Sequence, residues 1–201
     1  MPLYTIEDLT FTYPGAPAPT LEGVTLEVEH GSFTCLIGRN GSGKSTLLRH
    51  LKPALAPAGS RSGSILFEGR DLSSLSLAEQ SKLIGFVFQD AQDQIVTSSV
   101  IAEIAFGLEN LGISRATMRA RVAEICTVLG ITAWADTPIS ELSSGQAELV
   151  NIAAALATEP RILIADEPTN GLDPLAADEV ISMLARINRD LGTTIILSTQ
   201  T

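Results

Sequence analysis

Residues Gly38-Arg39-Asn40-Gly41-Ser42-Gly43-Lys44-Ser45 fit the pattern G-x-x-x-x-G-K-[ST], and their flanks decide what the pattern means. Phe33–Ile37 upstream is a short apolar run of strand character, and Ser45–Leu51 downstream carries helical spacing. Strand, glycine loop and helix in that order make a phosphate cradle. The glycines let backbone N–H groups curl around phosphate oxygens, Lys44 reaches the β- and γ-phosphates, and the helix N-terminus adds partial positive charge. The candidate nucleotide contacts are Gly38, Asn40, Gly41, Ser42, Gly43, Lys44, Ser45 and Thr46, with the Ser45 hydroxyl a candidate Mg²⁺ ligand.

Ile162-Leu163-Ile164-Ala165-Asp166-Glu167 is an apolar strand ending in two adjacent carboxylates. Alternation along a strand sends the two side chains in different directions, so one can serve metal and the other water. Asp166 is the candidate for the Mg²⁺ shell and Glu167 for polarising an attacking water.

Around these motifs the pattern predicts an α/β chain with a P-loop NTPase (RecA-like) core. Tyr4–Leu9 and Val24–Val28 alternate at period two and read as an N-terminal antiparallel β subdomain. A Pro/Gly/Ser loop over Ala54–Gly63 leads to a strand at Ser64–Phe67 and a hairpin turn at Glu68-Gly69. Ser76 and Glu79 form a capping-box pattern, and Ile84–Phe88 is a further strand. From Asp90 to Thr158 only helices are expected: Val100–Leu111 with Ile101, Ile104, Ala105 and Leu108 on one face, Thr117–Leu129 with Val122, Ile125, Cys126 and Leu129, and Gly145–Ala157. Arg161–Ala165 and Thr193–Ser198 read as buried strands flanking a helix at Pro174–Leu191, which implies a mainly parallel sheet interrupted by a helical insert. The expected division is a nucleotide-binding core at 1–89 and 159–201 and a helical subdomain at 90–158.

Composition narrows the function classes. In 201 residues, 13 Lys+Arg face 23 Asp+Glu, a net charge of −10, with no basic block, which disfavours non-specific nucleic-acid binding. No stretch reaches the roughly 18 consecutive apolar residues of a membrane span, and residues 1–20 lack signal-peptide character, so a cytoplasmic chain is expected. Cys35 and Cys126 are expected to be buried thiols, His30 and His50 surface or packing residues, Trp134 a packing residue between insert helices, and Arg115, Arg119 and Arg121 a solvated helix face.

The chain resembles the nucleotide-binding subunits of ABC transporters. Beyond the glycine loop and Asp166-Glu167, it matches their signature at Leu142-Ser143-Ser144-Gly145-Gln146, their Q-loop glutamine at Gln89, their D-loop at Gly171-Leu172-Asp173 and their adenine-stacking aromatic at Tyr13, in the family's order. Ile84–Phe88, the segment Gln89–Thr97, Ala105–Gly112 and Leu149–Ala153 look most like the energy-coupling factor importers of vitamins and transition metals, in particular the first half of fused two-ATPase chains. The resemblance implies an ATPase that couples ATP binding and Mg²⁺-dependent hydrolysis to import. Its partners would be a second ATPase domain, identical, different or fused, a membrane scaffold subunit and a substrate-binding subunit. It would sit at the cytoplasmic face of the membrane and involve no nucleic acid. Two such domains meet head to tail, so Ser143, Ser144, Gly145, Gln146 and Asp173 are lent to ATP on the opposite chain, while Gln89, Asp166 and Ser45 surround Mg²⁺ and Glu167 acts as base.

Two positions depart from the family pattern. Ser144 stands where glycine is usual, and Gln200 where the strand Ile195–Thr199 normally leads to a switch histidine. Glutamine donates a hydrogen bond but carries no proton near neutral pH, so a slow site is expected. Relatives continue past this point with further helix and strand, so a truncated chain is expected. Two rivals stay open: a soluble ABC ATPase acting on nucleic acid or ribosomes, and a non-hydrolysing regulatory half-site. Asp90 and Asp93 are candidates to receive arginines from the membrane partner.

Overall fold

The computed structural model describes residues 1–90 and 94–200. Its eight strands fall into two sheets. β1 (Tyr4–Thr12), β2 (Leu21–Val28), β4 (Ser60–Phe67) and β5 (Arg70–Asp71) form an antiparallel sheet of order β2-β1-β4-β5. β3 (Phe33–Ile37), β6 (Ile84–Val87), β7 (Ile162–Ala165) and β8 (Thr194–Thr199) form an all-parallel sheet of order β3-β8-β7-β6. Six α-helices accompany them among the described residues: α1 (Lys44–His50), α2 (Leu77–Leu83), α3 (Val100–Asn110), α4 (Arg115–Leu129), α5 (Ser144–Leu156) and α6 (Pro174–Leu191).

Alternation along the central strands divides the apolar interior in two. Ile162, Ile164 and Ile196 face a cluster shared with the antiparallel sheet, with Leu47 and Leu48 of α1 and with Leu51 just after it. Leu163, Ala165, Ile195 and Leu197 face the other cluster, built with α3 to α6. β7 and β8 are therefore covered on both faces, which is why they read as unbroken apolar runs. The antiparallel layer is pinned to the core by Tyr4, whose buried hydroxyl donates to the Leu51 carbonyl at 2.6 Å.

Most expected elements are present, with informative differences. β4 starts at Ser60, inside the expected loop, because the polar run Ser60–Ser64 is hydrogen-bonded to β1 with Phe11 opposite Arg61. The pairing bulges where Asp8 (φ 50°) meets Gly63 (φ 86°), and a side chain at Gly63 would lie 2.4 Å from the Asp8 carbonyl oxygen. The Glu68-Gly69 hairpin has both residues at positive φ, as a type I′ turn requires. Ser76 and Glu79 close the expected capping box on α2.

Cys35 corrects the expectation of a buried thiol: it is exposed, because β3 pairs with β8 alone and presents Phe33, Cys35 and Ile37 on an uncovered face. Cys126 is buried, and both cysteines are free. Ile101 is 39% exposed, whereas Glu103 is buried in its place. The Glu103 carboxylate accepts the Val96 and Thr97 N–H groups, so a polar residue satisfies a loop where the apolar stripe was expected to continue. Arg121 leaves the solvated face of α4 to pair with Glu159 at 3.0 Å. His50 is buried, its Nδ1 2.7 Å from the Thr46 carbonyl oxygen and its ring against the edge of Phe11. Trp134 packs against the helical cluster.

Candidate nucleotide site

The C-terminal ends of the four parallel strands carry the candidate site. Reading across the sheet, β6 leads to Gln89, β7 to Asp166 and Glu167, β8 to Gln200, and β3 to the glycine loop. Parallel α/β sheets bind ligands at this edge, where loops are free of the ladder yet held by it. The loop is tied to β8 by the Gly38 N–H on the Thr199 carbonyl (3.2 Å), and Asp166 to β6 by its N–H on the Val87 carbonyl (2.9 Å).

Two glycines in the loop hold backbone conformations that other residues rarely adopt. Gly41 adopts φ 78°, and Gly43, which precedes α1, adopts φ 92° in the left-handed region. A Cβ on Gly43 would lie 2.9 Å from both the Thr20 carbonyl oxygen and Leu21 Cδ2. The chain thus turns sharply enough to aim the first N–H groups of α1 into a cleft of about 380 Å³. Tyr13, Asn40, Lys44, Ser45, Thr46, Gln89 and Glu167 are among its lining residues. The Tyr13 hydroxyl lies 3.0 Å from Thr46 Oγ1, and its ring meets Phe11 edge-on, so an aromatic face stands at the rim.

Lys44 Nζ donates to the carbonyls of Gly38 (2.8 Å) and Arg39 (3.2 Å) and pairs with Glu167 Oε1 at 3.2 Å. The other Glu167 oxygen accepts from Gln200 Nε2 at 2.8 Å and from Gln89 Nε2 at 3.3 Å. Glu167 itself sits at φ 49°, a conformation that non-glycine residues rarely adopt and that surrounding contacts must hold. The Ser198 hydroxyl supplies one of these contacts, accepting the Glu167 N–H at 2.9 Å while donating to Asp166 Oδ1 at 2.8 Å. Ser45 Oγ donates to the same Asp166 oxygen at 2.9 Å. Ser198 was missed by sequence reasoning because nothing but its place at the end of an apolar strand distinguishes it.

Ser143, Ser144, Gly145, Gln146 and Asp173 are not in this cleft. Ser143 and Gln146 close a capping box at the start of α5, and Asp173 caps α6 by accepting from Leu175 and Ala176 N–H at 3.0 Å each. The two helix starts are neighbours, since a Cβ on Gly145 would lie 3.0 Å from that of Ala176. Ser144 is exposed on the first turn of α5, outside the set of positive-φ residues, so its side chain is accommodated without strain. Asp93 lies outside the described residues.

A family model described as ABC transporter matches residues 21–170, which contain the glycine loop, Gln89, the Ser143 segment and Asp166-Glu167. The chain belongs to the ABC transporter family. An ABC transporter ATP-binding protein of Bacillus cereus is 42% identical over 193 residues, 96% of this chain and 35% of its own length. The energy-coupling factor transporter ATP-binding protein EcfA1 of Lactobacillus delbrueckii subsp. bulgaricus is 37% identical over 194 residues, 96% of this chain and 69% of its own length. The chain therefore spans about a third of the Bacillus relative. Among solved structures, cbiO1 from Clostridium perfringens, part of the ABC transporter complex cbiONQ, superposes with a TM-score of 0.89 at 35% identity, over 100% of this chain and 79% of that one. The ATP-binding cassette MJ0796, a dimer in a post-hydrolysis state with ADP and Pi, superposes with a TM-score of 0.82 at 27% identity, over 98% and 88%. The P-loop fold of this ABC ATPase family is thus the fold of this chain. Among the described residues no helix is long and apolar enough to cross a membrane.

Proposed function

We propose that the chain is the ATP-binding and hydrolysing part of an energy-coupling importer, driving uptake of a vitamin or metal ion through a membrane partner from the cytoplasmic face. The observation that carries the catalytic half of this reading is the convergence of Lys44, Gln89 and Gln200 on the Glu167 carboxylate. ATP phosphates on the glycine loop would take Lys44, leaving Glu167 beside the γ-phosphate as acceptor for the proton of an attacking water. The hard oxygens of Ser45, Asp166 and Gln89 fit Mg²⁺, because Ser45 and Asp166 already share a hydrogen bond where hydroxyl and carboxylate would meet the ion. When bound, the ion would neutralise charge on the transferring phosphate.

In this reading residues 90–158 form the signature subdomain, and a second ATPase domain completes each site with Ser143, Ser144, Gly145, Gln146 and Asp173. Their absence from the cleft agrees with a contribution in trans. The membrane partner would dock at Asp90, Asp93 and the groove beside Val96 and Phe106, which are 63% and 43% exposed. Resemblance to EcfA1 and cbiO1 supports the importer class.

A slow half-site is the second reading, and Gln200 favours it: the residue stands where the family resemblance puts a histidine, 2.8 Å from Glu167 and without a titratable proton. Calorimetry and steady-state turnover test both. Lys44→Ala is expected to abolish MgATP binding, and Glu167→Gln to spare binding while lowering turnover ~10²–10⁴-fold. Ordinary affinity in a folded Lys44→Ala variant would overturn the site, whereas binding without turnover in the wild type would select the half-site.

A further inference from the structure

Tyr13 stands at the rim of the nucleotide cleft, and its ring is held by a file of aromatic contacts that leads away from the cleft to His50. Phe11 and Tyr13 alternate with Thr12 at the end of β1, so their side chains leave the chain on one face. The Phe11 ring, 1% exposed, meets Tyr13 at 4.9 Å between centroids and 84° between planes. The same ring meets the imidazole of His50 at 4.5 Å and 64°. Both are edge-to-face pairs, in which the positive edge of one ring lies against the negative face of the other. Gly59 closes a further side, since a Cβ there would lie 2.6 Å from Phe11 Cζ. A ring so confined cannot turn without moving its neighbours.

His50, in the last turn of α1 and 1% exposed, is fixed from a second direction. Its Nδ1 lies 2.7 Å from the Thr46 carbonyl oxygen, and because a carbonyl only accepts, Nδ1 carries the proton. Burial lowers the His50 pKa, the Thr46 hydrogen bond opposes it and the Arg61 charge adds to it, so a neutral imidazole faces Phe11 near neutral pH. Thr46 in turn meets the Tyr13 hydroxyl through Oγ1 at 3.0 Å. Tyr13, Phe11, His50 and Thr46 therefore close a circuit of contacts. An aliphatic side chain at position 50 would fill the same space, but it would give Phe11 no ring to meet and Thr46 no donor.

We propose that His50 is a positioning residue for the nucleobase: its ring sets Phe11, and Phe11 sets the angle at which Tyr13 presents its face to the base of a bound nucleotide. Buried away from the cleft, His50 acts only through Tyr13. The inference rests on the nucleotide site proposed above, with Tyr13 as the stacking aromatic.

The contribution of the base is isolated by comparing MgATP with magnesium tripolyphosphate, which offers the glycine loop phosphates without a base. Calorimetry on wild type, Tyr13→Ala, His50→Asn and His50→Phe reads the ratio of the two affinities. His50→Asn keeps a donor for the Thr46 carbonyl and loses the ring. It should lower the ratio about two- to tenfold, toward that of Tyr13→Ala, with tripolyphosphate affinity unchanged. His50→Phe keeps a ring and loses the donor, and should hold the wild-type ratio. An unchanged ratio in His50→Asn, an equal fall in His50→Phe, or a wild-type ratio no higher than that of Tyr13→Ala overturns the proposal. A fall of both affinities together in His50→Asn marks a merely structural role and overturns it as well. Should His50→Asn not fold, the wild type carries the test, because the chain has two histidines and their ring nitrogens are readily assigned. Nitrogen-15 spectra should show His50 protonated at Nδ1 and shifted by MgATP but not by tripolyphosphate, and equal shifts overturn the role. A wild type that binds neither compound would sink the nucleotide site and this role with it, whereas binding of both without the expected ratios sinks the role of His50 alone.

Discussion

At the scale of single residues, the site depends on two backbone positions of opposite kind. Gly43 holds φ 92° where a Cβ would strike the Thr20 carbonyl, so Gly43→Ala should destabilise the chain by ~1–3 kcal/mol and remove nucleotide binding. Denaturant unfolding and calorimetry on one preparation check both effects. Glu167 accepts the same kind of strain with a side chain that cannot be dispensed with, held by Ser198, Lys44, Gln89 and Gln200. Because Gln200 donates to Glu167, Gln200→His should raise single-turnover hydrolysis and introduce a dependence on pH near the ordinary histidine range of about 6.5. An unchanged rate and a flat profile would mean that Gln89 already orients the carboxylate without help from position 200. Both departures were legible as letters in the sequence. Their geometry was not, since the contact of Gln200 with Glu167 joins residues 33 positions apart.

At the scale of elements, the ends of helices carry more information than their middles. Ser143 caps α5 through the Gln146 N–H, and Gln146 returns the bond to the Ser143 N–H, so the segment lent to a partner in the proposed function also starts its own helix. Ser143→Ala should therefore lower stability by about 1 kcal/mol even in an isolated chain, and Ser143→Gly by only a few tenths; thermal unfolding without nucleotide reads the difference. Caps such as Ser76–Glu79, and the helix Pro174–Leu191, were readable because local chemistry sets them. β4 was expected only from Ser64, because Ser60–Ser64 has no apolar alternation and becomes a strand only through its ladder to β1. Ile101 left its expected face and Glu103 was drawn inward, because a loop's N–H groups, invisible in periodicity, took the carboxylate.

At the scale of the whole molecule, the parallel sheet fixes Gln89, Asp166, Glu167, Gln200 and the glycine loop on adjacent strand ends, while Ser143 and Asp173 start two neighbouring helices elsewhere. If two chains meet head to tail, each complete site draws on both groups, and complementation should reveal it. Lys44→Ala chains and Ser143→Arg chains should each be inactive alone, yet a mixture should regain activity through one intact site per mixed pair. Activity no greater than the sum of the separate preparations would argue against sharing. The order of strands was legible as a class from alternating strand and helix signals, but the apolar face of β3 that exposes Cys35 was not, because sequence does not say which strand lies at an edge.

The ion pair between Lys44 and Glu167 has one more consequence. Before any ligand arrives, the cation that would hold phosphate and the carboxylate that would receive a proton neutralise each other. In the proposed function, binding is then an exchange of anions on one lysine, with the nucleotide displacing the protein's own acid. A site wired this way arms its base only in the presence of its substrate, and stands disarmed against bulk water at all other times.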